Sequence, residues 1–189
     1  MEEWKKIGER EVLSSRWGKE LVSQEYEHPV TKKREDYVFL SYGKSPVIVF
    51  AITESNEVIL IRVFRHAAGR VFLELPGGVP EVDEPLDKTA ERELLEETGY
   101  QAEKVFPLAD EIWFDPQSVG FPFHPFLALG CVKTDSALDA VEHTEVVAMP
   151  IQNWIQMVMN AEISDSKSIA VTMLALRHAG FSLHRSENN

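Results

Sequence analysis

Three glutamates near the middle of the chain have a spacing that can hold a divalent cation. Glu93, Glu96 and Glu97 lie in residues 85–98, a stretch that favours a helix ending at Gly99. At about 100° per residue, the three carboxylates fall on one face of that helix. Like charges at this spacing repel by roughly a few tenths of a kcal/mol per pair, so a counter-ion is expected. Mg²⁺ is the natural candidate, because it is a hard cation shared between carboxylates and phosphates.

Clustered glutamates also have a simpler interpretation, a solvated acidic helix face, and the triplet alone favours that alternative. Two neighbouring features favour a metal site over a solvated helix face. Gly77 and Gly78 allow the backbone to come close to a metal ion or a phosphate, because glycine has no side chain to obstruct the approach. Arg92 can pair with a nearby glutamate and fix its orientation. The wider pattern therefore predicts a metal site.

The full motif is longer than the triplet and is highly specific. Gly78 is followed after five residues by Glu84, and after seven more by the stretch RELLEETGY, residues 92–100. This arrangement fills the fixed positions of the Nudix box, with Tyr100 standing where that family usually has an aliphatic residue. The chain therefore resembles the Nudix hydrolases.

The resemblance implies a role for each position of the box. The expected metal ligands are the carbonyl of Gly77 and the carboxylates of Glu93, Glu96 and Glu97. Glu96 is also an expected catalytic residue, together with the orienting residues Glu84 and Arg92. The implied cofactor is Mg²⁺, for which Mn²⁺ can substitute.

The flanks of the box are similar to the branch of the family that cleaves ADP-ribose and nucleotide sugars. Residues 61–66 and 73–78 are similar to that branch's arginine-bearing strand and its approach to the box. The resemblance implies that Arg65 binds a substrate phosphate, with Arg62 as second candidate. Exposed strand arginines without a ligand are the alternative. Residues 115–118 also resemble this branch, although Gln117 stands where the family often has glycine.

A water nucleophile needs a base, and this branch commonly supplies a glutamate from a loop ahead of a late strand. Residues 141–150 fit that place, so Glu142 is the expected base or the ligand of a further metal ion. Glu145 is the reserve candidate. Both side chains can also be ordinary acids of a surface loop.

Two aromatic residues of the N-terminal strands are candidate platforms for the nucleobase. Trp17 lies where the branch often places an adenine-stacking aromatic, and Tyr37 is the second candidate. Stacking of this kind contributes about 1 to 3 kcal/mol per base. A core tryptophan is the alternative interpretation. The resemblance also implies that the N-terminal strands pair across a homodimer.

Composition narrows the class of protein. Acidic side chains number 31 against 19 basic ones, and the formal charge of −12 argues against non-specific binding to nucleic acid or to an anionic membrane. The chain has no run of about 18 apolar residues and no apolar leader, so a cytoplasmic location is expected. The single Cys131 agrees with that compartment.

Strand and helix patterns alternate without strict βαβ order, which favours a mixed α/β (α+β) class. Strands are predicted at residues 12–14, 21–26, 37–41, 47–52, 58–64, 71–75, 126–132 and 146–149. Helices are predicted at residues 85–98, 151–161 and 166–179. The resemblance implies a Nudix fold, in which helices sandwich a mixed sheet. The expected organisation is an antiparallel N-terminal β extension that forms the dimer (1–44), the Nudix domain (45–184) and a tail (185–189).

The expected activity is metal-dependent hydrolysis of the pyrophosphate bond of ADP-ribose or a related nucleoside diphosphate sugar, giving a nucleoside monophosphate and a sugar phosphate. The box alone fits other substrates equally well: dinucleoside polyphosphates, coenzyme A, oxidised nucleotides or RNA caps. A non-catalytic nucleotide-sensing module is the alternative of a different class, because fold does not fix function. Such a module is expected to lack one of the box acids, and here all are present.

Overall fold

The computed structural model describes residues 1–134 and 144–178. The strands of this part of the chain are β1 (Lys5–Arg16), β2 (Lys19–Glu27), β3 (Arg34–Tyr42), β4 (Val47–Thr53), β5 (Glu57–Arg65), β6 (Arg70–Glu74), β7 (Tyr100–Gln101), β8 (Lys104–Pro107), β9 (Ile112–Trp113), β10 (Pro122–Lys133) and β11 (Glu145–Pro150). Its helices are α1 (Leu86–Thr98), α2 (Ile151–Met159) and α3 (Ser166–His178).

Two compact units divide the chain. The first comprises residues 1–45 and 113–122, and the second comprises residues 46–112 and the described residues from 123 onward. The assignment of residues 1–44, 45–184 and 185–189 to domains stays a prediction.

The second unit is built on a mixed sheet in the order β11, β5, β4, β10 and β7, with β6 paired to β5 and β8 to β10. β4 runs parallel to β10 and antiparallel to β5. Residues 47–52 form an unbroken apolar run, as expected for a strand that is buried on both faces. The predicted mixed sheet is therefore confirmed.

The buried core of this unit lies between β4 and α1. Val47, Val49 and Ala51 pack on one face of β4 with Ala90 and Leu94 of α1, and all five are fully buried. The alternate residues of β4 are buried as well, and α3 also packs on that strand. Helices therefore cover the sheet as predicted, and α1 brings its glutamates to the sheet edge where β4 begins.

The first unit contains a three-stranded antiparallel sheet in the order β1, β2 and β3. β1 and β2 are joined by a tight turn in which Trp17 and Gly18 have positive φ angles of 51° and 76°. The predicted antiparallel N-terminal strands are therefore confirmed. β1 begins earlier than predicted, because its largely exposed residues carry little of the apolar alternation that marks a strand.

Three strands were not predicted from the sequence. β7, β8 and β9 are two, four and two residues long, which is too short for a recognisable alternation of apolar and polar side chains. Conversely, α2 ends at Met159, two residues before the predicted limit. Among the described residues, no helix has the length and apolar character needed to cross a membrane.

Candidate active site

The loop after β6 is held against the beginning of β4. The amide of Val49 donates to the carbonyl of Pro76 at 2.9 Å, and the amide of Val47 donates to the carbonyl of Gly78 at 2.8 Å. A Cβ at Gly77 would lie 2.1 Å from the carbonyl oxygen of Val47, and one at Gly78 would lie 2.3 Å from the carboxyl carbon of Glu93. Close contact with the backbone therefore requires glycine at Gly77, whereas at Gly78 the contact is with the end of a side chain that can shift.

Arg92 is the centre of the carboxylate cluster on α1. Its Nε and Nη2 donate to the two carboxylate oxygens of Glu84, both at 2.9 Å. Its Nη1 donates to Glu93 at 2.9 Å and to Glu96 at 2.8 Å. Nη2 also donates to the carbonyl of Val79 at 3.1 Å. A guanidinium is suited to this role because its donors form a rigid planar fork.

The environment of Glu84 favours its ionised form. The hydrogen bonds from Arg92 are the largest cause, followed by the backbone amide of Glu81, and with Thr89 they lower the pKa of Glu84 to about 2. In return, these carboxylates raise the pKa of Arg92, with Glu84 again the largest cause. Glu84 and Arg92 are therefore both charged at neutral pH.

Glu97 connects the helix to the glycine loop. The backbone amide of Gly77 donates to Oε2 of Glu97 at 2.7 Å. The structure therefore brings together every box residue singled out from the sequence: Gly77, Glu84, Arg92, Glu93, Glu96 and Glu97. Their roles as metal ligands and catalytic residues stay predictions.

The donor set of this cluster suits a hard divalent cation. Glu84, Glu93, Glu96 and Glu97 supply four carboxyl groups to the cluster, against the one guanidinium of Arg92. Carboxylate oxygens are the ligands that Mg²⁺ and Mn²⁺ prefer. In the described residues, no three acidic, histidine or cysteine side chains already converge on one point, since the glutamates contact Arg92 and Gly77. The charge and chemistry of the cluster fit a metal ion.

Arg65 and Arg62 are not brought together. Side chains alternate between the two faces of a strand, so these two residues of β5 point in opposite directions. Arg65 forms three hydrogen bonds of 2.7 to 3.2 Å to the carboxylate of Glu74. Glu74 is the largest cause of the raised pKa of Arg65, and Glu97 contributes. Arg62 instead pairs with Glu145 of β11 at 3.2 Å.

The candidate base Glu142 lies outside the described residues. Its reserve, Glu145, begins β11 and is exposed apart from its contact with Arg62. The choice between them stays a prediction.

The two aromatic candidates of the first unit differ in their surroundings. Tyr37 lines a cavity of about 480 Å³ together with Trp4, Tyr26 and Trp113. Trp4 contacts Tyr37 edge to face, with ring centroids 5.9 Å apart. Trp17 does not line this cavity and is 84% exposed, with the guanidinium of Arg16 4.6 Å from its ring.

Several residues of these sites were missed from the sequence. Trp4 offered no signal beyond its residue type, because the strand that follows it was not recognised. Glu74 did offer one, since a glutamate within the apolar stretch VFLEL is unusual and is 2% exposed here. Its neighbours Asp165 and Lys167 come from the distant N-terminus of α3, which local patterns cannot place.

A family model described as the NUDIX domain matches residues 44–166 of this sequence. The chain belongs to the Nudix family. This confirms the resemblance inferred from the box and the prediction of a hydrolase. Nudix hydrolases generally need divalent metal ions, in agreement with the charge of the Arg92 cluster.

Several Nudix relatives have described activities. The ADP-ribose pyrophosphatase of Bacillus subtilis (strain 168) is 32% identical over 136 residues, which cover 70% of this chain and 73% of the relative. A GDP-mannose pyrophosphatase of Yersinia pestis (strain Pestoides F) is 30% identical over 150 residues, covering 72% of each. The methanol dehydrogenase activator of Bacillus methanolicus is 31% identical over 190 residues, covering 94% of this chain and 95% of the relative.

A solved structure of an ADP compounds hydrolase has the same fold. It superimposes with a TM-score of 0.81, covering 96% of this chain and 98% of that one, at 17% sequence identity. At that identity the likeness concerns the fold alone.

The two glycines of the Nudix loop are expected to respond differently to alanine. In Gly77→Ala the new methyl meets the backbone of Val47, which cannot move, so we expect a loss of about 1 to 3 kcal/mol in the free energy of unfolding. In Gly78→Ala it meets the end of the Glu93 side chain, which can shift at the cost of its position in the cluster, so we expect a smaller loss of stability and about a tenfold loss of activity. Urea unfolding and turnover of both variants measure this contrast. Equal loss of stability in the two variants would contradict it.

Proposed function

We propose that this chain hydrolyses the pyrophosphate bond of ADP-ribose or a related nucleoside diphosphate sugar to a nucleoside monophosphate and a sugar phosphate. The observation that carries the proposal is the Arg92-centred carboxylate cluster, held on α1 against the glycine loop by the bond from Gly77 to Glu97. The names of the Bacillus subtilis and Yersinia relatives support a nucleotide-sugar substrate.

The residues that would hold Mg²⁺, or Mn²⁺ in its place, are Glu93, Glu96 and Glu97 with the carbonyl of Gly77. Bound there, the metal ion supplies charge neutralisation for the diphosphate and lowers the pKa of a bound water. Arg92 and Glu84 hold the carboxylates in position through their paired hydrogen bonds. Arg65 can also donate to the phosphate oxygens. Its contacts with Glu74 use Nε and Nη2, a guanidinium has a further donor nitrogen, and the side chain is 45% exposed.

The reaction is the attack of water on one phosphorus. A new phosphorus–oxygen bond forms to the water, the bond from that phosphorus to the bridging oxygen breaks, and the bridging oxygen leaves with the other phosphate. Glu142 takes the proton of the attacking water, with Glu145 as the alternative base. Glu142 is proposed on its place in the sequence, ahead of β11.

The cavity of the first unit is proposed to bind the nucleobase through Tyr37. We expect Tyr37→Ala to raise KM for ADP-ribose about tenfold, because a stacked base contributes about 1 to 3 kcal/mol. Trp17→Ala is the matched comparison, since Trp17 lies outside this cavity. Steady-state kinetics of both variants decide the point. A Tyr37→Ala enzyme with unchanged KM would remove Tyr37 from the site, and a raised KM in Trp17→Ala would restore Trp17 to it.

The first unit is also proposed to pair with a second copy of the chain. Its described strands and turn expose the apolar side chains of Val12, Leu13, Trp17, Leu21 and Val38. Exposed apolar side chains grouped on one small sheet support an interaction site there. Analytical ultracentrifugation of the wild type tests the proposal, and a monomer at micromolar concentration would contradict it.

A substrate panel tests the proposed activity. We expect the highest kcat/KM for ADP-ribose or another nucleotide sugar, and much lower values for dinucleoside polyphosphates, coenzyme A and nucleoside triphosphates. A higher value for one of the latter compounds would move the chain to another Nudix specificity. Absence of turnover on every compound would favour a sensing module.

A second candidate function is activation of a dehydrogenase. It is favoured by the methanol dehydrogenase activator, whose likeness extends over 94% of this chain and so includes its first unit. The measurement is the rate of methanol dehydrogenase with and without the purified chain. An unchanged rate would remove this candidate and leave the hydrolase proposal untouched.

A further inference from the structure

Four charged side chains form a connected network where the N-terminus of α3 meets β6. Its members are Arg65, Glu74, Asp165 and Lys167. Nη2 of Arg65 lies 2.7 Å from Oε2 of Glu74, and Nζ of Lys167 lies 3.8 Å from the same oxygen. Lys167 also contacts the carboxylate of Asp165. A single buried carboxylate therefore lies between two cationic side chains.

The need to neutralise Glu74 does not account for both cations. Glu74 is 2% exposed, and a buried carboxylate is costly without a partner. The bidentate contact of Arg65 already supplies that partner through Nε and Nη2. Lys167 neutralises Asp165, whose side chain is 8% exposed, and its Nζ also lies 3.8 Å from Oε2 of Glu74. Lys167 therefore stands beside Arg65 on the same carboxylate, where the two cations can contact one anion.

Both cations can reach a ligand. The side chain of Arg65 is 45% exposed and that of Lys167 is 21% exposed. Among the described residues, the contacts of Arg65 use Nε and Nη2, whereas a guanidinium has donors on all three nitrogens. The ammonium of Lys167 has three donors, and its contacts are with Asp165 and Glu74.

The position of Lys167 is fixed by its neighbours. The amide and the hydroxyl of Ser168 donate to Asp165 at 2.9 and 2.7 Å. The hydroxyl of Ser168 also accepts the amide of Leu75, at the end of β6, at 2.9 Å. Against the raising effect of burial, Lys167 and Ser168 lower the pKa of Asp165, so this anchor is charged at neutral pH. A preorganised cation loses less entropy when it binds an anion.

The network adjoins the carboxylate cluster. Leu75 is followed by Pro76 and then by Gly77, whose amide donates to Glu97. Glu97 also contributes, after Glu74, to the raised pKa of Arg65. Glu74, which holds Arg65, is therefore only three residues before the glycine whose amide contacts Glu97.

We propose that Lys167 and Arg65 together form a phosphate-binding site, with Glu74 holding the two cations side by side. The proposal rests on the proposed function for the identity of its ligand, the diphosphate of a nucleotide sugar. It adds a residue of α3, far from the Nudix box in sequence, to the substrate site.

Calorimetric titration with inorganic pyrophosphate, in the presence of a chelator, tests this phosphate-binding site without turnover. We expect Lys167→Met to weaken binding about tenfold, in line with the loss of one charge-assisted hydrogen bond. Lys88→Met is the matched control, because Lys88 is an exposed lysine paired with Glu91 on the outside of α1. It is expected to bind as the wild type does. Equal binding by Lys167→Met and the wild type, or no binding by the wild type, would overturn the proposal.

Loss of Lys167 leaves Asp165 without its cation, so the single variant can unfold. The double variant Lys167→Met with Asp165→Asn removes both charges together and avoids an unpaired buried carboxylate. Its unfolding midpoint is expected to lie close to that of the wild type, with pyrophosphate binding still about tenfold weaker. Retention of binding in this folded variant would also overturn the proposal.

Kinetics with ADP-ribose separate this proposal from the proposed function. We expect Lys167→Met to raise KM about tenfold with little change in kcat, and Lys167→Arg to restore most of the affinity. If the wild type turns over ADP-ribose and Lys167→Met has the same KM, the proposed phosphate-binding site is wrong and the proposed function stands. If no ADP-ribose is cleaved while pyrophosphate binding depends on Lys167, the phosphate-binding site stands and the proposed function is wrong.

Discussion

Replacement of Glu97 by glutamine is expected to lower kcat for ADP-ribose by more than about a hundredfold, since loss of even an outer-shell partner of a metal ligand typically costs 10- to 100-fold. Glutamine keeps the volume of the side chain and an oxygen that can accept the amide of Gly77, so the loop stays attached to α1. What is lost is the negative charge that the cation needs. The free energy of unfolding is therefore expected to change little.

Glu91→Gln is the matched control for this variant. Glu91 lies on the same helix but pairs with exposed Lys88 instead of the glycine loop. We expect wild-type turnover and unchanged folding from the control. An active Glu97→Gln enzyme would refute the assignment of Glu97 as a metal ligand, and loss of activity in Glu91→Gln would show that the effect is not specific to the cluster.

Replacement of Arg92 by methionine is expected to destabilise the protein as well as to inactivate it. The change removes the cationic partner that the carboxylates of Glu84, Glu93 and Glu96 share. The first two are only about 15% exposed, so we expect a loss of about 2 kcal/mol in the free energy of unfolding. For a chain of this size that corresponds to a fall in Tm of about 4 to 8 °C. Arg92→Lys keeps the positive charge but loses the planar set of guanidinium donors, so its Tm should lie between those of the wild type and Arg92→Met.

The effect of Arg92 on stability is expected to depend on pH. In the folded protein Arg92 and its neighbours lower the pKa of Glu84 from an ordinary value of 4.5 to about 2. A lowered pKa in the folded state stabilises the protein above the unfolded value and loses that effect as pH falls through the folded value. The stability gap between wild type and Arg92→Met should thus be constant above about pH 5 and narrow toward pH 2. Urea midpoints over this range measure the gap, and a gap that widens as pH falls would contradict the account.

Much of the second unit could be predicted because its signals are local. The unbroken apolar run of β4, the stop at Gly99 and the charged face of α1 each follow from residues close together in the sequence. The joining of Glu84 to Arg92 over eight residues could also be anticipated from the spacing of the box. These features agree between sequence and structure.

Contacts between distant segments could not be predicted in the same way. The contact of Glu74 with Lys167 joins residues more than ninety positions apart, and no periodicity connects the two. Sequence also made Arg62 the second candidate after Arg65, and could not foresee its contact with Glu145, 83 residues later. In the first unit, Trp4 could not be related to Tyr37 because the strand between them was not recognised at its full length.

The most direct test of the central claim is product analysis of ADP-ribose incubated with the wild-type protein and Mg²⁺, repeated after addition of a chelator. We predict that AMP and ribose 5-phosphate form in equal amounts and that the chelator stops their formation. Intact ADP-ribose after prolonged incubation, or cleavage that continues in the chelator, would contradict the account.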